Sequence, residues 1–207
     1  MNVTPLFSIP IASVNLSEIN SEDILNELKS IKYNRNGNNN SSMSDTDFLL
    51  DGLGFKSLKE SICNKFDEYV YSVLNFKDIE FYMCSSWSNL HLKNDSGQIH
   101  YHPNSLYSAV YYPQDTDENS GMINFHCPES VSTYITTVFD PDIGEYNLIN
   151  SKTWSFSAKK GDLFIFPSHI NHSVSTNRSD QERYSIACNF WIKKYVDTKR
   201  SRNLVIK

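Results

Sequence analysis

The chain lacks any long apolar run. No stretch of its 207 residues approaches the ~18–20 residues of a membrane-spanning helix, so no membrane partner is expected. A basic leader is missing as well. The opening "MNVTPLFSIPIASVNL" has no cationic region, is broken by Pro5 and Pro10, and does not read as a secretory signal. Cysteine is sparse: Cys63, Cys84, Cys127 and Cys188 lie far apart, with no C-x-x-C pair and no disulfide-framework spacing. Each reads as a small core residue rather than a ligand, and the expected setting is reduced and cytoplasmic. There is no basic stripe. With a formal net charge of −5, general nucleic-acid binding is not expected, although local contacts to a nucleotide stay open. Internal repeats and a second domain boundary are also lacking, which leaves one domain over residues 1–207.

Aromatic residues, by contrast, are plentiful. The 12 Tyr, 12 Phe and 3 Trp tilt the composition toward β structure. Residues 1–78 read as an N-terminal strand and helical flank. "LFSIPIASVNL" is an opening strand whose prolines suit a sheet edge. "SEDILNELKSI" begins a helix at Ser21, with acidic residues in its first turn and Ile24, Leu25, Leu28 and Ile31 at helical spacing. "NRNGNNNSSMSD", Asn34 to Asp45, is polar and turn-rich and reads as an exposed loop. "SLKESICNKFDEYVYSVL" is a second helix with Leu58, Ile62, Phe66, Tyr69, Val70 and Val73 as its apolar stripe. From 79 to 192 the pattern changes to strands: "IEFYMCSSWSNLHL", "SLYSAVYY", "GMINFHC", "TWSFSA", "DLFIFP" and "RYSIACNFWI", separated by turn clusters such as "QDTDENSG" and "NRSDQE". Short strands with this punctuation predict a β sandwich or small barrel. Residues 193–207 form a basic tail, expected at the surface.

Histidine is scarce, and its placement is uneven. Two of the six, His100 and His102, sit one residue apart in "QIHYHP". On a strand, residues i and i+2 point the same way, roughly 7 Å apart, so both imidazoles can reach one point while Tyr101 faces away. Alone, the pair reads equally well as two hydrogen-bonded surface histidines. A second cluster, His169 and His172, follows the strand "DLFIFP". A later strand returning beside the first would present a third imidazole from the opposite wall of the sandwich. His172 opens the alternating segment "SVS" and faces the cavity on this reading, whereas His169 lies in the preceding loop as a structural or supporting residue. Three neutral imidazoles with open positions suit divalent iron, zinc or copper. His91 and His126 have no partner at useful spacing.

Eleven positions after His172 stands Arg183, on one strand face with Ser185 and on a strand that can run beside the metal strand. A guanidinium with a hydroxyl beside it is a good clamp for a carboxylate. The alternative is a surface ion pair with Asp180 or Glu182.

Together, "WSNLHLKNDSGQIHYHPNSLYSAVYY", "KKGDLFIFPSHINHSV" and "RYSIACNFW" resemble the iron(II)/2-oxoglutarate oxygenases over roughly Ser85 to Trp191. More narrowly, they resemble a small bacterial and phage group of that superfamily. The resemblance implies a mainly β fold, a double-stranded β-helix or jelly roll with N-terminal flanking helices. It implies iron(II) and 2-oxoglutarate as cofactors, O2 and a primary substrate as partners, and hydroxylation with release of succinate and CO2. It also implies a cytoplasmic setting, the host's for a phage-encoded chain. The family's metal triad, His-x-Asp/Glu and a late His, falls on His100 and His172. Its Arg-x-Ser, which holds the far carboxylate of 2-oxoglutarate, falls on Arg183 and Ser185. The tyrosine that assists falls on Tyr112, whose strand parity agrees with Ser108 and Val110 facing inward.

One position departs from the family pattern. His102 stands where a carboxylate is usual, which would make His100, His102 and His172 a three-histidine metal set. Replacing an anionic ligand by a neutral one raises the charge of the centre by one, and the 2-oxoglutarate dianion could then offset the metal's charge fully. Asp95, Asp115 and Asp117 lack the i+2 geometry and rank below His102 as oxygen ligands. Trp87 and Asn89, on the preceding strand, read either as pocket lining or as a core Trp and a strand-end Asn. Two other readings remain at this point. A cupin-like three-histidine enzyme without 2-oxoglutarate would not depend on Arg183, and a non-catalytic β-sandwich binding module would bind metal weakly.

Overall fold

The computed structural model describes residues 1, 2, 4, 8–37, 40–128 and 142–195. Strands β1 (Ala12–Asn15), β2 (Tyr33–Asn36), β3 (Ser41–Ser44), β4 (Ile79–His91), β6 (Tyr107–Tyr111), β9 (Asp162–Pro167) and β11 (Arg183–Tyr195) form a seven-stranded sheet. Its order is β1-β9-β6-β11-β4-β3-β2. A smaller, four-stranded sheet has the order β5-β10-β7-β8, from β5 (Gly97–His100), β10 (His172–Val174), β7 (Ile123–His126) and β8 (Thr153–Phe156). Neighbouring strands in both sheets are antiparallel. The fold is mainly β, a jelly roll with N-terminal helices.

Alternation along the central strands divides the interior into two layers. On β6, Ala109 and Tyr111 face the helices, while Val110, with Tyr112 just beyond the strand, faces the small sheet. On β9, Leu163 and Ile165 face the helices and Phe164 and Phe166 the small sheet. Tyr184, Ile186, Cys188 and Phe190 of β11 join the helix-side core, which leaves Arg183, Ser185, Ala187 and Asn189 on the other face. Helix α1 (Ser21–Ser30) begins where Asn20 Oδ1 accepts the Glu22 N–H at 3.2 Å, with Glu22 and Asp23 in its first turn. Helix α2 (Lys56–Asp67) buries Leu58, Ile62 and Phe66, the last stacked on Phe190 at 3.7 Å between ring centroids. The helix continues as π turns over Glu68–Val73. The wider turn rotates the stripe, so Tyr69 and Val70 are buried but Val73 is exposed, contrary to the 3.6-residue pattern.

Further expectations change. Asn34–Asp45 is not a solvated loop: β2 and β3 pair with each other, and β3 pairs with β4 through Ser42–Leu90 and Met43–Asn89. Its polar residues are accommodated because hydroxyls take up backbone bonds, as where Ser44 Oγ accepts the Ser88 N–H at 3.0 Å. Residues 1–78 therefore contribute three strands to the main sheet as well as a helical flank. Of the cysteines, all free, only Cys188 is fully buried; Cys63, Cys84 and Cys127 are half-buried. β11 extends past 192 to Tyr195. Residues 196–207 of the basic tail, and Leu6 and Phe7 of the opening strand, lie outside the described residues. Among the described residues, no helix is long and apolar enough to cross a membrane.

Candidate active site

His100 ends β5 and His172 opens β10, and the two stand directly opposite each other in the ladder. The third imidazole thus comes from the neighbouring strand of the same sheet, not from the opposite wall. Adjacent strands lie only about 4.8 Å apart, which brings imidazoles on one face together without any crossing of the sandwich. His102 lies just past β5, where its backbone N–H donates to Ser168 O at 3.0 Å. Tyr101 between them is exposed, as the alternation predicts. One ring nitrogen from each of His100, His102 and His172 falls within 4.8 Å of the others.

Each ring is held in one tautomer. The Nδ1–H of His100 donates to Gln98 O (2.7 Å) and that of His172 to Ile170 O (3.0 Å). The His102 Nδ1 lies 2.8 Å from Asn189 Oδ1 and 2.8 Å from Ser108 Oγ, both on the inner face of the large sheet. A carbonyl oxygen can only accept, so the proton sits on Nδ1 and the Nε2 lone pair is left for a metal. Three neutral nitrogen donors with no carboxylate among them fit a divalent transition metal. Asp95 is instead paired with Arg35 at 2.6 Å, Asp117 accepts from Asn119 and Ser120, and Asp115 accepts from Lys160. His169 is exposed, and His126 bonds to Ser173 at 2.9 Å.

Burial lowers the pKa of His172 to about 3, helped by its His100 and His102 neighbours, and that of His102 to about 4. His91 is likewise lowered to about 3, first by burial and then by the Arg183 charge. An unfolded imidazole titrates near 6.5. Between the folded and unfolded values the unfolded chain binds more protons, so this stability is fully present above the unfolded value and is lost as pH falls toward the folded ones. The metal-free protein is expected to melt at a clearly lower temperature at about pH 5 than at about pH 7.5. A melting temperature unchanged across that interval would show that these rings are not held neutral.

A cavity of about 260 Å³ adjoins the three histidines. Trp87 and Asn89 line it, and the Trp87 ring lies 5.3 Å from the His102 ring. Ser185 and Tyr112 line it too. Asn36, Ser41 and Met43, from the hairpin that reads as a loop in the sequence, form part of the wall. His91 was also missed, although it shares the i, i+2, i+4 parity of Trp87 and Asn89. Its strand register sets it directly opposite Arg183.

Arg183 is 1% exposed and stands behind this wall, not on it. Its strand belongs to the large sheet, between β6 and β4, and does not run beside β5 or β10. The guanidinium donates to Gly121 O (3.1 Å), His91 Nδ1 (3.3 Å) and Tyr112 Oη (3.5 Å), and lies over the Tyr112 ring at 5.3 Å. Gly121 has φ +96, and a Cβ there would collide with the Ser175 carbonyl, so this acceptor requires glycine. Neither acidic neighbour pairs with Arg183: Asp180 bonds to Lys93 (2.8 Å) and Glu182 accepts from Tyr184 (2.7 Å). Among the described residues Arg183 has no ion-pair partner. A fully buried cation without a counter-anion is costly, by several kcal/mol in general, so its surroundings suit an incoming anion.

The family model described as "Putative 2OG-Fe(II) oxygenase" matches residues 85–189, just over half of the chain. The chain belongs to this family. As a 2OG-Fe(II) oxygenase it is an enzyme whose cofactors are iron(II) and 2-oxoglutarate. The oxygenase is similar in structure to the α-ketoglutarate-dependent epimerase SnoN of nogalamycin biosynthesis, with 14% identity, TM-score 0.65, and 88% of this chain covering 78% of that one. HygX from Streptomyces hygroscopicus, with nickel and 2-oxoglutarate bound, has 12% identity, TM-score 0.60 and coverage of 88% and 82%. A prolyl-4-hydroxylase from Pseudomonas putida has 12% identity, TM-score 0.60 and coverage of 88% and 92%. At such identities the likeness is one of fold. No curated protein sequence matches the oxygenase.

Proposed function

We propose that His100, His102 and His172 hold the iron, and that Ser185 and Tyr112 on the cavity wall, backed by Arg183, take the far carboxylate of 2-oxoglutarate. The observation that carries this reading is the pairing of three Nε2 donors on one cavity with a buried, acid-free guanidinium behind its wall. With iron(II), 2-oxoglutarate and O2 bound, such a site supplies oxidation of a substrate C–H bond to C–OH, balanced by conversion of 2-oxoglutarate to succinate and CO2. The chain's own share is positional. Gln98, Ile170 and Asn189 fix the imidazoles. Trp87 and Val110 exclude water from the wall, and Asn89, Asn36 and Ser41 offer polar contacts to a substrate. Because all three metal-binding rings are neutral, the dianionic cosubstrate balances the charge of the divalent ion without a protein carboxylate. We read residues 1–207 as one oxygenase domain, because the large sheet shares one core with the helices and a second with the small sheet, and we keep the cytoplasmic setting that the resemblance implies.

Iron(II) titrated into the metal-free protein under argon, with and without 2-oxoglutarate, tests the reading. A visible metal-to-ligand band that needs both additions is the expected result; iron binding with no change on adding 2-oxoglutarate would favour a cupin-like enzyme. A second test addresses the unusual ligand. His102→Asp is expected to retain iron, since a carboxylate is a competent iron(II) ligand. Metal loss as complete as in His102→Ala would take position 102 out of the ligand set.

A further inference from the structure

We propose that His91 is a cosubstrate-binding residue, donating its Nε2–H to the far carboxylate of 2-oxoglutarate in front of Arg183. The inference rests on the reading of the site given above and goes beyond it, because neither the family pattern nor the strand motif assigns this position a role. Four observations carry it. His91 is 3% exposed and lines the cavity, whereas Arg183 stands behind. Its Nδ1 is 3.3 Å from Arg183 Nη1, and a guanidinium can only donate, so Nδ1 accepts and the proton of the neutral ring is on Nε2. That Nε2 is, among the described residues, the one fully buried side-chain nitrogen or oxygen without a hydrogen-bond partner. Tyr112 and Ser185, beside it on the wall, have hydroxyls to offer, and Tyr112 Oη already accepts from Arg183, which leaves its proton to donate.

The geometry gives Arg183 a relayed role as well as a direct electrostatic one. A cation donating to Nδ1 draws density from the ring and makes Nε2–H a stronger donor. A donor array of neutral imidazole and hydroxyls backed by one buried positive charge suits a single carboxylate. A ring that stayed charged beside the guanidinium would double the positive charge, and burial and the Arg183 neighbour both oppose it.

Two substitutions separate the ring's two nitrogens. Asparagine places its amide where Nδ1 stands, keeping an acceptor for Arg183 while removing the outer donor. Glutamine reaches the Nε2 position and restores an N–H there. Calorimetry of the manganese-loaded full chain would follow 2-oxoglutarate and 2-oxobutyrate, which has the same metal-binding head and no far carboxylate. His91→Asn is expected to weaken 2-oxoglutarate by about tenfold or more, the value of a hydrogen bond to a charged group, and to leave 2-oxobutyrate unchanged. His91→Gln is expected to stay near wild type for both. Wild-type affinity in His91→Asn overturns the proposal, and with a loss confined to His91→Gln it makes the ring a support for Arg183 only; an equal loss in both variants overturns it too, since the restored N–H would then count for nothing. Manganese content and melting temperature confirm that each variant is folded. If the wild-type, manganese-loaded protein itself fails to bind 2-oxoglutarate, the reading of the site falls and this inference with it. Normal wild-type binding with an unaffected His91→Asn overturns the inference alone.

Discussion

Alanine at His172 is expected to empty the metal site. The residue is 4% exposed, opposes His100 in the ladder, and directs Nε2 toward the shared point because Ile170 O holds the other nitrogen. Removing it leaves two neutral donors, and a two-imidazole set lacks the three-point chelate geometry that holds a divalent ion against water. Loss of a mere hydrogen-bonding partner of a metal ligand costs about 10–100-fold in metal affinity. Loss of the ligand itself should exceed that upper figure, and His100→Ala and His102→Ala should behave alike. Plasma emission spectroscopy after dialysis against iron(II) reads the occupancy. Full occupancy in all three variants would remove these histidines from the role. Folding should survive in the metal-free state, since deleting one of three crowded, neutral rings relieves a desolvated cluster.

Arg183→Ala should leave iron binding intact and weaken 2-oxoglutarate severely. The guanidinium is fully buried behind the cavity wall, and the described residues provide it no acid. Losing one partner of a buried, charge-assisted pair typically costs about 2–5 kcal/mol, or roughly 30-fold to several-thousand-fold in affinity. Lysine should rescue only in part. It restores the charge but not the fork that reaches Gly121 O, His91 and Tyr112 at once. Calorimetry of 2-oxoglutarate into manganese-loaded wild type and variants is the measurement. Unchanged affinity in the alanine variant would take 2-oxoglutarate away from this end of the cavity and leave a cosubstrate-free, three-histidine enzyme as the better reading.

What the sequence determined by itself is whatever has a short period. Helical spacing announced α1 and α2, and alternation placed Arg183 and Ser185 on one face of β11 and Trp87 and Asn89 on one face of β4. The two-residue step from His100 to His102 brought those rings together even though β5 stops at His100. These relations depend only on the geometry of a strand or a turn, so neighbouring letters suffice to fix them. The same reasoning failed at Val73, where a π turn altered the period, and at Asn34–Asp45, where hydroxyl and amide groups satisfied a strand that propensity argues against.

Tertiary structure alone decided which strands meet. It set β10 against β5, so that His172 approaches His100 from beside it in the small sheet. It put β11 between β6 and β4, which carried Arg183 to the large sheet and brought His91, nine positions before His100 and about ninety before Arg183, into contact with the guanidinium. It also placed Arg183 behind the cavity wall. Strand order and register are settled by the burial of whole faces and by pairing across long loops, and no local period in the chain encodes either of them.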